Sequence, residues 1–479
     1  MLTNLSAIIW LSLFSVFFAL AGLLFARRQP SNLEDFIIAR NSQTGSATLL
    51  TLLATTLGTW VLFGPAELAT WGGISGVIGY ALGVLVPGLV MIPLGKRIRQ
   101  LMPNGHTLTE FVYARYGRGV YLFVLAIMLF YLFIGLAAGL TGIAQIVALI
   151  APVPLWLTAS IVIVATLLYT LYGGLKVSIF TDRLQMLIIL PFIVLVLVLG
   201  WYATGGAAPV VEGLQQKAAH LINPFESSGI KAGITFFLAV ALTGLFYQGT
   251  WQRVFAAKDS KALASGFLLS GLIGFPIIVA LGLFGLAFVG LSLPGTGATA
   301  LFSVLLDGAP YALLVGLVFF GLALIMSSAD SSVSSFHSLF IIDIKRLLPN
   351  IEQSRLIVLS RWLVIALSAI ALFVASKGLS ILYLFLLADL LCCAAAFPVF
   401  FGFYNRRYKS YQAIVSIVVG LVCGFYFFPK PGQPAEFLYE SFMLASFAPV
   451  AVSLLLLMLP SKKVFDFSII ANQAKKLSS

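Results

Sequence analysis

Residues 51–73 read TLLATTLGTWVLFGPAELATWGG, an apolar run long enough to cross a bilayer but interrupted near its middle by Gly58, Gly64 and Pro65, with Glu67 beyond. Proline removes a backbone donor and clashes with the turn before it, so the helix is predicted to kink or unwind at Pro65. Carbonyls freed inside a membrane persist only where protein or a water-filled cavity satisfies them. A second weak helix, TGLFYQGTWQR at 243–253, brackets Tyr247 and Gln248 between Gly244 and Gly249. The two interruptions occupy equivalent places in two successive blocks of five apolar segments. Paired breaks of this kind point to a solute site near the bilayer midplane. For either break alone, a simple packing kink is the competing reading.

A third anomaly lies in GLALIMSSADSSVSSFHSLF, residues 321–340, where six serines surround Asp330. Ser328, Ser331 and Ser335 share one helical face, and Ser327 falls near the middle of its segment. Serines inside a helix often bond back to their own backbone. A carboxylate at membrane depth is costly and marks a functional site by default. Hydroxyl and carbonyl oxygens suit a hard cation such as Na⁺, by the oxygen-ligand logic that governs Ca²⁺. Asp389 lies inside another apolar segment, where it either faces a cavity or meets a partner on a neighbouring helix. His337 is expected at the interface, and His106 and His220 in loops.

The rest of the chain fits a membrane protein. Of its 479 residues, 61% are hydrophobic and 9% charged, against roughly 25% charged in soluble domains. That balance excludes a soluble enzyme, a disordered chain and a nucleic-acid-binding domain. Thirteen apolar segments follow from the twenty-residue rule: 5–26, 46–71, 77–99, 119–149, 153–173, 183–203, 232–254, 263–291, 310–341, 357–376, 379–404, 411–428 and 438–460. The first, followed by Arg27 and Arg28, is expected to be retained rather than cleaved as a signal peptide. With the N-terminus outside and the C-terminus inside, 24 of the 28 lysines and arginines fall in inside connections and 4 outside. The +12 net charge therefore requires no polyanionic partner. Cys392, Cys393 and Cys423 lie within apolar runs and form neither a disulfide framework nor a metal pair. No HExxH, GxSxG or Walker pattern appears, so neither an enzyme nor an ATP-driven pump is expected.

Three motifs, in order and on the appropriate segments, resemble the sodium:solute symporter family: YGGLKVSIFTDRLQ (172–185), WQRVFAAKDSKAL (251–263) and LIMSSADSSVSS (324–335) followed by IDIKR. FARRQPSNLEDFIIARNS (25–42) and PNGHTLTEFVYARYG (103–117) extend the similarity over about 27–410. The resemblance implies an all-α, LeuT-type fold of two inverted five-helix repeats working by alternating access. The implied divisions are an extra N-terminal helix and loop (1–45), a first repeat (46–203), an external loop expected to carry a short surface helix (204–231), a second repeat (232–428), and a last helix with a basic tail (429–479). It also implies a sodium site of carbonyls from Ala54, Leu57 and Leu324 with hydroxyls from Ser327 and Ser328. Asp182 matches an acidic position tied to sodium coupling or release, and Asp330 is a second candidate for that charge balance. Thr56 departs from the family's proline-type members, which carry an acidic residue there. The loop at 103–112 is similar in flavour to the urea-transporting branch.

Thr59, Trp60, Tyr247, Gln248 and Trp251 are the substrate-pocket candidates, combining polar groups that orient a solute with aromatics that shield it. No lysine or arginine is expected in the core halves of these helices, which favours a neutral or zwitterionic solute over a strongly anionic one. The expected protein is a Na⁺-coupled symporter of the bacterial inner membrane that imports a small polar solute such as urea or proline. Na⁺ is its only metal and no cofactor is expected. A transporter-like solute sensor and a proton-coupled carrier of the same fold are the alternatives.

Overall fold

The computed structural model describes residues 1–28, 32–430, 436–459 and 464–473. The basic-tail residues Lys462, Lys463, Lys475 and Lys476 lie outside that range. Among the described residues the secondary structure is helical apart from one isolated bridge pairing Gln43 with Ala257. Helix α1 (Asn4–Arg27) turns Leu5, Ile9, Leu13 and Leu20 outward, as a lipid-facing helix must. A short α2 (Leu33–Ile37) leads to α3 (Gly45–Thr56), which ends at Leu57 and Gly58. One 3₁₀ turn (Thr59–Leu62) separates it from α4 (Gly64–Leu101). Next come α5 (Leu108–Tyr116), α6 (Arg118–Ile150), α7 (Leu155–Ala203) and α8 (Ala207–Lys217).

The second broken helix is built like the first. α9 (Ser227–Thr243) passes through a 3₁₀ turn (Gly244–Phe246) and an extended Tyr247 before α10 (Gln248–Ala256) resumes. The remaining helices are α11 (Ser260–Gly290), α12 (Ala300–Leu305), α13 (Tyr311–Leu347), α14 (Gln353–Ala375), α15 (Ile381–Phe401), α16 (Ser410–Phe427), α17 (Leu438–Leu457) and α18 (Ser468–Gln473).

Among the described residues, eleven helices are long and apolar enough to cross a membrane, where thirteen segments were expected. The difference is one of partition. α4 carries the outer half of the second segment together with the third, and α7 carries the fifth and sixth. Each contains a glycine in a conformation that a Cβ forbids: Gly73 at φ 60°, ψ −159° and Gly174 at φ 58°, ψ −150°. An unbroken helix of 49 residues would run about 73 Å, more than twice the hydrocarbon thickness of about 30 Å.

Pro65 does not mark the break. The chain leaves helical geometry at Leu57 (φ −85°, ψ 78°), and Pro65 sits in the first turn of α4. Its missing N–H is there one of the donors that a helix start leaves unpaired anyway. Likewise, Gly249 lies inside the first turn of α10, and the second break is Gly244 to Tyr247.

Small residues bring the helices close. A Cβ on Gly88 of α4 would stand 2.7 Å from the Phe267 carbonyl of α11, and one on Gly79 would overlap the backbone of Gly233 in α9. These contacts clamp α9 and α11 against α4.

Candidate functional site

Both breaks line one cavity of about 170 Å³. Gly58, Thr59 and Trp60 come from the first break, and Thr243, Gly244 and Tyr247 from the second. Trp60 is held by its indole N–H donating to the Thr56 carbonyl at 3.0 Å, and it stacks on Tyr80 at 5.5 Å. Tyr131 meets Tyr247 edge-on at 6.0 Å. Of the five pocket candidates, Thr59, Trp60 and Tyr247 line this space; Gln248 and Trp251 do not. Once α10 resumes, its turn carries Gln248 inward, where its amide donates to the His106 carbonyl and to Ser338 Oγ, both at 3.1 Å. The fully buried Trp251 donates to the Leu245 carbonyl at 2.8 Å and stacks on Phe400. Both serve the packing around α10.

The oxygens of Ala54, Leu324 and Ser327 converge beside the first break. Ser327 Oγ lies 3.1 Å from the Ala54 carbonyl and 3.0 Å from that of Leu324. Ser328 Oγ lies 3.1 Å from the Leu324 carbonyl and lines the cavity next to Gly58. The turn at Leu57 swings its carbonyl out of the helical ladder. Oxygens around a cation at about 2.4 Å are separated by roughly 3.4 Å, so only a small expansion would accommodate Na⁺.

One turn further along α3 and α13 is a buried polar cluster. Asp182 accepts a hydrogen bond from Thr51 and pairs with Arg253 Nη2 at 3.0 Å, with both side chains fully buried. Arg253 also donates to Ser331 Oγ at 2.7 Å and Thr51 Oγ1 at 3.1 Å. Asp330 accepts from Tyr169 (2.9 Å), Ser178 (2.8 Å) and Thr181 (2.7 Å). Arg253 was counted among the cations of the inside connections; the structure corrects this, since its side chain is fully buried at the end of α10, although it does not line the cavity. A charge near the end of an apolar run is ordinarily solvated. Here one carboxyl from another apolar run, Asp182, pairs with it, the signal that could have located it. His337 is likewise buried rather than interfacial, edge-on to Phe36 and 3.2 Å from Ser360 Oγ.

A second cluster ties the loops at this basic end. His106 is fully buried, its Nε2 2.8 Å from Glu34 and its Nδ1 3.4 Å from Glu110. Arg40 bonds Glu34 and the carbonyls of Pro103 and Gly105. Arg99 donates to the Ala257 carbonyl and to Asn41, beside the Gln43–Ala257 bridge that joins the entries to α3 and exit of α10. Burial pushes the His106 pKa down, but Glu110 and Glu34 outweigh it and hold it at about 9. Burial raises Glu34, and His106 with Arg40 outweigh that, holding it near 2. The His106 contribution is complete below pH 6.5 and fades as pH rises through about 9; that of Glu34 is present above pH 4.5 and is lost as pH falls through about 2. Thermal stability should therefore fall on the order of 3 kcal/mol between pH 6.5 and 9. In His106→Gln that slope should be absent, which a pH series of melting temperatures in detergent would check.

Two interrupted helices facing one cavity, with oxygen clusters on an adjacent continuous helix, define a secondary membrane transporter of the LeuT-like class. The chain belongs to the sodium:solute symporter family, whose profile matches residues 36–420. It is 26% identical to the spermidine transporter of Candida albicans over 83% of this chain and 74% of that one. It is 26% identical to the high-affinity proline transporter of Bacillus subtilis over 92% and 96%. Its fold is similar to that of a Na⁺-coupled sialic acid symporter in a substrate-bound outward-open state, with a TM-score of 0.76, 18% identity and coverage of 96% and 98%. A nucleobase-cation-symport-1 transporter matches with a TM-score of 0.61, 14% identity and coverage of 92% and 99%.

Proposed function

We propose that the protein is a Na⁺-coupled symporter that imports a small organic solute by alternating access across thirteen spans, N-terminus outside, in a bacterial inner membrane. The two halves of α4 and of α7 then count as separate spans, arranged as inverted five-helix repeats. Arg253 leaves the inside tally of cations, and the strong inside bias is otherwise unaltered. Na⁺ is held by carbonyls of Ala54, Leu57 and Leu324 and hydroxyls of Ser327 and Ser328. The convergence of the Ser327 hydroxyl with the Ala54 carbonyl carries this reading, because it couples the broken helix to α13 at the edge of the cavity. Filling that site ties the broken helix and α13 to one ion and so shapes the solute pocket. Asp182 and Asp330, set against one arginine, leave room in the charge balance for one monovalent cation.

Proline, urea, pantothenate and spermidine transporters are among the relatives, so the family alone leaves the solute open. The test is uptake by purified protein in liposomes, with and without an inward Na⁺ gradient. Accumulation above equilibrium that follows the gradient is the expected result. Solute binding without accumulation would indicate a sensor, and accumulation driven by protons alone would discard the sodium site.

A further inference from the structure

The cavity holds one ionisable group of unusual standing. Asp389, on α15, is 6% exposed and lines the cavity wall. Its carboxyl has no ion-pair partner among the described residues. Thr243 stands beside it, its buried hydroxyl the one polar group among the described residues placed to bond the carboxyl. The contrast with Asp182 and Asp330 is informative, because those carboxyls are met by an arginine or by three hydroxyls. No arginine, lysine or histidine lines the cavity.

Around Asp389 the walls are aromatic. Trp60 and Tyr80 stack together, and Tyr131 meets Tyr247 at 6.0 Å and Phe385 at 6.4 Å. Tyr80 and Tyr131 both lie within electrostatic reach of Asp389. Ring faces carry a negative quadrupole that attracts cations within about 6 Å, and a desolvated carboxylate strengthens that attraction. A lone buried carboxyl stays ionised only when a cation answers it, so an ammonium group gains the ion pair that a neutral solute cannot supply, and an anion would be repelled.

We propose that the transported solute carries a positively charged nitrogen, a small primary or quaternary amine without a compensating carboxylate, which Asp389 pairs with inside the cage of Trp60, Tyr80, Tyr131 and Tyr247. This rests on the symporter reading above and narrows its solute from polar to cationic. A cavity of about 170 Å³ holds a guest of roughly benzene size, which limits the part enclosed around the nitrogen.

The experiment measures competition and uptake in proteoliposomes using choline, putrescine, proline, urea and lactate as probes, alongside the Na⁺-induced thermal shift without solute. The expected result is Na⁺-driven uptake of choline or putrescine, with the other three ineffective. Asp389→Asn should weaken amine binding roughly a hundredfold while the Na⁺ thermal shift persists, showing that the variant folds and binds its ion. Asp389→Glu, which keeps the charge, should restore part of the affinity. Urea, proline or lactate taken up as well as the amines, or amine binding unchanged in Asp389→Asn, would overturn the proposal and leave the symporter reading standing. Absence of both the Na⁺ shift and Na⁺-driven uptake of every probe would instead sink the symporter reading.

Discussion

Replacing Arg253 with methionine is expected to destabilise the protein by about 3–5 kcal/mol and to abolish uptake. The guanidinium is enclosed between α3, α7 and α13, where it answers Asp182 and orders Thr51 and Ser331. Methionine fills much of the same volume, so the loss is electrostatic: Asp182 keeps only the Thr51 hydroxyl, and its Oδ1 already lacks a partner. Removing both charges in Arg253→Met with Asp182→Leu should recover most of the stability, since apolar replacement of a whole buried pair is often neutral. It should not recover transport: the net charge is unchanged, but Thr51 and Ser331 lose the guanidinium that orders them between α3 and α13. Melting temperatures of the two single variants and the double variant, read as a cycle, separate these effects. Equal and additive losses would mean that Arg253 and Asp182 act independently, and the cluster would then have no coupling role.

What was legible in the sequence follows from which residues carry meaning locally. The breaks could be located because glycine and proline disturb an apolar helix wherever they stand. Pro65 misled by a few residues because a helix tolerates proline in its first turn, and the unwinding occurs just before it at Leu57 and Gly58. Ser327 and Asp330 stood out because polar groups at membrane depth are rare. Gln248 and Trp251 were assigned to the pocket by nearness to the break. The rotation of α10 after an extended Tyr247 decides their direction, and neighbouring sequence does not encode it. Tyr80 and Tyr131 were missed for the opposite reason: aromatic residues are common in apolar helices, and only the fold brings these two beside Asp389. Arg253 needed the same three-dimensional information, since its side-chain partners lie 71, 78 and 202 residues away.

Ser327→Ala should raise the sodium concentration for half-maximal transport about tenfold, the equivalent of losing one hydrogen-bond-strength oxygen contact of about 1.4 kcal/mol. Ser327 is the hydroxyl that touches both the broken helix and α13, through Ala54 and Leu324. Its loss removes a proposed ligand and the bonds to the Ala54 and Leu324 carbonyls. Ser328→Ala should have the same sign with a smaller effect, because Ser328 bonds only within its own helix, to Leu324 and Ile325. Ser368 on α14, a buried serine with no hydrogen-bond partner, serves as the control. Ser368→Ala deletes a hydroxyl of the same size without touching the oxygen cluster, so its sodium dependence should match the parent. Solute affinity measured at saturating sodium should recover in Ser327→Ala, because in the proposed mechanism the ion shapes the pocket without contacting the solute. A Ser327→Ala variant with unaltered sodium dependence would place the ion elsewhere and leave the hydroxyl only a structural link between α3 and α13.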